Sequence, residues 1–162
     1  MPAGVQTCLR TLRNPRFSQV GSEATLFAYA DCVKAELDAL TQQVISAAIA
    51  VHREIGPGAL ESTYEACLGF ELADRHLRIE RQKPVPIVYR GRRLDCGYRM
   101  DLVVEEQVIV EVKAVRGFEP VHTAQLISYL IHSQLHVGLL LNFHVKWFVR
   151  GGIKRVVRDF PE

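Results

Sequence analysis

The sequence predicts a mixed α/β (α+β) domain, a central mixed sheet flanked by helices, and three observations carry that expectation. Apolar residues recur at three- and four-residue spacing between about residues 37 and 77, which is helical periodicity. Three strand-like runs follow between residues 85 and 115. An amphipathic stretch then precedes a further buried run at 135–143, and a meander followed by a helical crossover into one more strand makes a mixed sheet. At 162 residues the chain has the length of one domain with a sizeable core.

The elements are expected in this order. Leu40, Val44, Ile45, Ala48, Ile49 and Val51 mark a first helix from about Leu37, with Thr41 or Asp38 available as its cap. It should end at IGPG (55–58), where Pro57 and two glycines break it. A second helix, ESTYEACLGFELADRHL (61–77), carries Leu60, Tyr64, Cys67, Leu68, Glu71 and Leu72 along one broad stripe. VPIVYR (85–90), RRLDCGYRMDLVVE (92–105, bent at Gly97) and VIVEVKAV (108–115) read as three strands. HTAQLISYLIHS (122–133) reads as a helix and LHVGLLLNF (135–143) as a buried strand. KWFV and IKRVVR read as a final hairpin around Arg150-Gly151-Gly152.

Residues 1–35 differ from the rest. They show weak periodicity and no acidic residue before Glu23. An Arg-containing, acid-poor start shares a trait with organellar transit peptides. A poorly ordered extension, or translation from an upstream start codon, is the preferred explanation, and the domain proper is placed at 36–162.

Twenty basic and 18 acidic residues leave a net charge of +2, too little to argue for a nucleic-acid partner from bulk charge. Arg90, Arg92, Arg93, Lys146, Arg150, Lys154, Arg155 and Arg158 gather near expected strand ends, where they suit a phosphate backbone or a solvated basic surface equally. Cys8, Cys32, Cys67 and Cys96 form no CxxC, so reduced thiols and a cytoplasmic location are expected. No run is long and apolar enough for a membrane span, so no membrane partner is expected.

VIVEVKAV places Glu111 and Lys113 in the most strand-like segment of the chain. If Glu105-Glu106-Gln107 is a three-residue loop, Val104 faces Val108 and the register carries Asp101 opposite Glu111. A slip of one residue would move Asp101 to the other face. An ion-pair ladder on a solvent-facing strand uses the same residue types. Against it stands the aliphatic flank, because a charge among Val and Ile is costly unless paired or bound to a metal. Two carboxylates held together repel, and oxygen-only ligands suit a hard ion such as Mg²⁺ or Mn²⁺. Such a patch suits phosphodiester hydrolysis, with Asp101 and Glu111 holding the metal and Lys113 orienting water or stabilising phosphate charge.

Asp101 followed by Glu111-Val112-Lys113 resembles the PD-(D/E)XK nuclease superfamily, although Arg99-Met100 stands where the name has a proline. Gln125 and Tyr129, in QLISY, resemble the QxxxY element of its exonuclease-like branch. Gly58-Ala59-Leu60-Glu61-Ser62-Thr63-Tyr64 is a full GxxExxY. With VHREIGPG, LDCGYRMDLVV, VEVKAV, HTAQLISYL and GGIKRVVR, it makes the chain similar to the GxxExxY protein family from about Leu37 to Arg158.

That resemblance implies a restriction-endonuclease-like core and a site of Asp101, Glu111, Lys113, Gln125 and Tyr129. It further implies Glu61 as a metal ligand from the first core helix, although helix capping and dipole compensation explain Glu61 nearly as well. Tyr64 reads as core, and His122 as a cap or a phosphate contact. The function implied is a Mg²⁺- or Mn²⁺-dependent nuclease acting on nucleic acid, DNA in preference to RNA. The alternatives are a non-catalytic nucleic-acid-binding module and a protein-interaction module that keep the fold. Oligomeric state is not read from the sequence.

Overall fold

The computed structural model describes residues 23–95 and 98–158. Helix α1 spans Glu23–Ile55 and α2 spans Glu61–Asp74. Strands β1 (Ile79–Pro84), β2 (Ile87–Tyr89), β3 (Arg92–Leu94), β4 (Arg99–Val104) and β5 (Val108–Lys113) follow. Helix α3 (Pro120–Ser133), strand β6 (Val137–Asn142), a one-turn helix α4 (Phe148–Gly151) and strand β7 (Ile153–Val157) complete the order. The main sheet runs β1-β4-β5-β6-β7, and β2 with β3 forms a separate two-stranded sheet. β5 and β6 are parallel, joined through α3, and the other pairs are antiparallel. This is the mixed, helix-flanked sheet expected.

Two apolar layers account for it. On one face Leu102, Val104, Val108, Val110, Val112, Leu139 and Leu141 pack against Leu40, Val44 and Ala48 of α1 and Tyr64, Leu68 and Leu72 of α2. On the other, Met100, Val103, Ile109 and Leu140 pack against Leu126, Tyr129 and Leu130 of α3. Because both faces are covered, β6 is buried along its whole length and reads as a continuous aliphatic run. Gly138 of β6 lets α3 approach, since a Cβ there would lie 2.6 Å from Leu126 Cδ1.

Several boundaries differ from those expected. α1 begins at Glu23, so Thr41 and Asp38 lie mid-helix, where Thr41 Oγ1 donates back to Asp38 O at 2.9 Å. The first 22 residues and Gly97 lie outside the described residues. β1, IERQKP, escaped the reading because an edge strand with four consecutive polar residues carries no apolar alternation. KWFV is not a strand. Phe148 turns into α4 and the first core layer, and β7 pairs with β6 instead. Cys32 is disulfide-bonded, contrary to the expectation of reduced thiols, whereas Cys67 is free. Among the described residues no helix is long and apolar enough to cross a membrane.

Tyr64 ties the α1–α2 turn to the core. Its ring is fully buried and stacks on Phe143 with centroids 4.6 Å apart. Its hydroxyl donates to Gly56 O at 2.6 Å and accepts from Ala59 N at 3.0 Å. Gly56 and Gly58 take positive φ (70° and 113°), so the turn depends on glycine and on this clamp. Tyr64→Phe should keep the stacking but orphan both backbone groups. A loss of about 1–3 kcal/mol is expected, read as a lower denaturation midpoint with an unchanged m-value.

Candidate functional site

The turn between β4 and β5 sets the register. Val104 pairs with Val108, Val103 with Ile109 and Leu102 with Val110. Backbone pairing stops there. On the other side of β4 the register passes from Arg81 and Leu102 to Lys83 and Met100, skipping Gln82 and Asp101. Gln82 sits at φ 50°, which breaks the alternation. Both ladders therefore open at Asp101, and side chains take over their hydrogen bonds. Val112 N donates to Asp101 Oδ2 at 2.9 Å, and Asp101 N donates to Glu111 Oε1 at 3.4 Å.

Asp101 and Glu111 are thus brought side by side, with Lys113 Nζ 3.3 Å from Glu111 Oε2. Glu111 is 2% exposed. Burial, reinforced by the charge of Asp101 and only partly offset by Lys113, pushes its carboxyl up to about 8. Asp101 is raised as well, chiefly by burial, while the Val112 amide and Lys113 hold it down.

The α2 carboxylate linked to this pair, through Gln82, is Glu65. Among the described residues the buried charged side chains are Glu65 and Glu111. Gln82 Nε2 donates to Glu65 Oε2 at 2.7 Å and reaches Asp101 Oδ1 at 3.4 Å, while Arg81 Nε donates to Glu65 Oε1 at 3.1 Å. Glu61, one turn earlier and exposed, accepts from Ala114 N at 2.8 Å. That bond fastens the chain just after Lys113. Asn142, fully buried, fastens it further: its Oδ1 accepts from Val115 N at 3.1 Å and its Nδ2 donates to Val115 O at 2.7 Å.

Sequence reasoning missed Glu65, Gln82 and Asn142. Glu65 carried a usable signal: it follows the buried Tyr64 and lies three residues before Leu68 on the apolar stripe, a position where an acid needs a partner. Gln82 and Asn142 carried none, because their roles depend on contacts 19 and 27 residues away in sequence.

Gln125 and Tyr129 sit together on α3, where Gln125 Nε2 donates to Tyr129 Oη at 2.7 Å. Tyr129 is held above the usual phenol range by burial first, with Glu111 and Asp101 adding to it. Its hydroxyl keeps a proton to donate. His122 caps α3, accepting from Glu119 N at 3.0 Å, and His52 is structural, its Nε2 2.7 Å from Val145 O.

The donor set fits a hard divalent cation. Its first members are two carboxylates in an aliphatic setting whose mutual repulsion such an ion would relieve. Among the described residues no three His, Cys, Asp or Glu side chains are already drawn together as a cation cage. Two carboxylates with remaining positions left to water is the usual manner of Mg²⁺.

No curated protein and no solved structure matches the chain significantly. A family model described as the PD-(D/E)XK nuclease superfamily matches residues 38–156, which takes in the second half of α1, all of α2, the whole central sheet but its last residue, and every residue of the carboxylate cluster. The chain belongs to the PD-(D/E)XK nuclease superfamily.

Proposed function

We propose that the chain is a divalent-metal-dependent nuclease of the GxxExxY kind, hydrolysing phosphodiester bonds of nucleic acid at Asp101, Glu111 and Lys113. The observation that supports it most is the Asp101–Glu111 pair beside Lys113, at the point where the sheet ladder opens. Members of this superfamily generally use divalent metal ions. Asp101 and Glu111 would hold the ion, Mg²⁺ or Mn²⁺, which supplies Lewis acidity and charge neutralisation at the scissile phosphate.

The chain's own groups do the rest. Lys113, 14% exposed at its side chain, helps orient the attacking water and offers its ammonium protons to the phosphoryl oxygens as charge develops on them. Tyr129, oriented by Gln125, offers a hydroxyl proton on the α3 side of the same carboxylates. Glu65 and Gln82 hold Asp101 in place from the α2 side. DNA is the preferred substrate over RNA in this reading.

Purified protein and its Lys113→Ala variant, incubated with labelled DNA and RNA plus Mg²⁺ or Mn²⁺, test the reading. Turnover should drop at least about 100-fold in the variant, with an unchanged circular dichroism spectrum. Equal cleavage by both proteins would falsify the assignment, and binding without product in either would identify a non-catalytic module.

The two α2 acids are separated by Mn²⁺ titration calorimetry. Glu65→Gln should weaken Mn²⁺ binding about tenfold, while Glu61→Gln leaves it nearly unchanged and lowers the melting temperature instead. The reverse pattern would make Glu61 the α2 acid that serves the metal.

In EDTA, stability should fall as pH rises from about 4.5 to about 8. Within that window folded Glu111 keeps a proton that the unfolded chain has released, so unfolding is increasingly favoured; below it both states are protonated. Thermal midpoints measured across this range should decline for the wild type. Those of Glu111→Gln should decline less, since only the smaller contribution of the raised Asp101 remains, and lie higher at pH 8.

A further inference from the structure

Strands β2 and β3 stand apart from the main sheet as a hairpin of their own. Its root is pinned where Val85 N donates to Tyr98 O at 2.8 Å, one step beyond the last β1–β4 pair, Pro84 with Arg99. The hairpin therefore grows from the end of the sheet at which Asp101 stands. The chain between Arg93 and Asp101 limits their separation to about 30 Å. Tyr98, at the root, packs edge-on against Tyr129 with centroids 5.4 Å apart, which joins the root to the candidate site.

The surface of this hairpin is neither a core face nor an ordinary polar one. Arg90, Arg92 and Arg93 are exposed, and so are Val88 (65%) and Tyr89 (59%). Tyr89 lies opposite Arg92 and Val88 opposite Arg93, so each face carries an apolar group beside a guanidinium. Arg90 Cζ sits 5.4 Å from the centre of the Tyr89 ring. The Arg93–Asp95 pair, 3.6 Å apart with both side chains mostly in water, neutralises little. At the turn Arg90 takes φ 49° and Gly91 φ 75°, so a long cationic side chain occupies a position that Asn or Gly fills without strain. A lone two-stranded hairpin is marginal in water, and exposed aromatic and aliphatic groups give it no stability there.

We propose that the β2–β3 hairpin is an arm that grips single-stranded nucleic acid leading into the Asp101–Glu111 site. Arg90 and Arg92, which share the face of Tyr89, take successive phosphates, and the Tyr89 ring is there for a base to stack on. Every base has such a face, so the arm grips without reading sequence. A duplex presents phosphates but keeps its base faces covered, so the contribution of Tyr89 separates the two forms. The proposal rests on the nuclease reading for where the strand leads, and not for the grip itself.

Fluorescence anisotropy in EDTA reads binding apart from turnover, using the full chain, a labelled single-stranded oligonucleotide and its matching duplex. Tyr89→Ala should weaken single-strand binding at least about fivefold and leave duplex binding unchanged. The Arg90→Gln, Arg92→Gln double variant should reduce the slope of log affinity against log salt by about 1.4, two charges at about 0.7 each. Tyr89→Leu, which keeps the apolar bulk of the hairpin, should lose the single-strand preference as well. Wild-type affinity and salt slope in all variants would overturn the arm, as would equal losses on single strand and duplex from Tyr89→Ala, or no binding by the wild type. Hairpin-dependent binding with no product in Mg²⁺ supports the arm and defeats only the nuclease reading.

Discussion

A carboxylate 2% exposed in the middle of a sheet is the constraint on which the rest of this structure depends. Glu111 lies between Val110 and Val112, in a strand that is buried along its length but for its last residue. A charge so placed must be paired, neutralised or bound to an ion. The protein supplies partial answers to each. Lys113 lies close by, the Asp101 amide points at one oxygen, and the carboxyl itself is pushed toward its neutral form. None of these removes the second carboxylate beside it. A sheet built only for stability would place Val or Leu at position 111, and a carboxylate held there at a cost is what makes this pair the candidate site.

The opening of the β-ladder at Asp101 is the backbone counterpart of that strain. Regular pairing would direct the amides of β4 and β5 at each other's carbonyl oxygens. Instead the Val112 amide is bound by the Asp101 carboxylate, and the left-handed Gln82 releases the opposite edge. The site therefore occupies a defect in the sheet that side-chain hydrogen bonds repair. That arrangement also explains why so many supports converge just past Lys113. Glu61, Asn142 and the Phe143 amide each bind backbone there, at 2.8–3.1 Å. A lysine at the end of a strand would otherwise fray with it.

The GxxExxY segment acquires a physical meaning in this light. Its tyrosine braces the turn that starts α2, and its glutamate ties that helix start to the strand bearing Lys113. Together they fix the axial position of α2, and with it the height at which Glu65 meets Gln82, the side chain that reaches Asp101. The most recognisable motif of the chain thus braces the helix start and the end of β5, while the acid linked to Asp101 through Gln82 is the residue that follows the motif.

The sequence by itself determined the fold class, the central strands, the α3 crossover and the Val104–Val108 register. These follow from local periodicity and a short turn, and a one-residue error would have exposed a whole apolar face. It pointed to Asp101, Glu111 and Lys113 because charges among β-branched residues are conspicuous. Tertiary structure decided what periodicity does not encode: the polar edge strand β1, the conversion of KWFV into a turn of helix, the separation of β2–β3 from the main sheet, and the link from Glu65 through Gln82 to Asp101. Each of those depends on which distant backbone group or side chain is in reach, and hydrogen bonds formed across tens of residues leave no pattern in either partner's own neighbourhood.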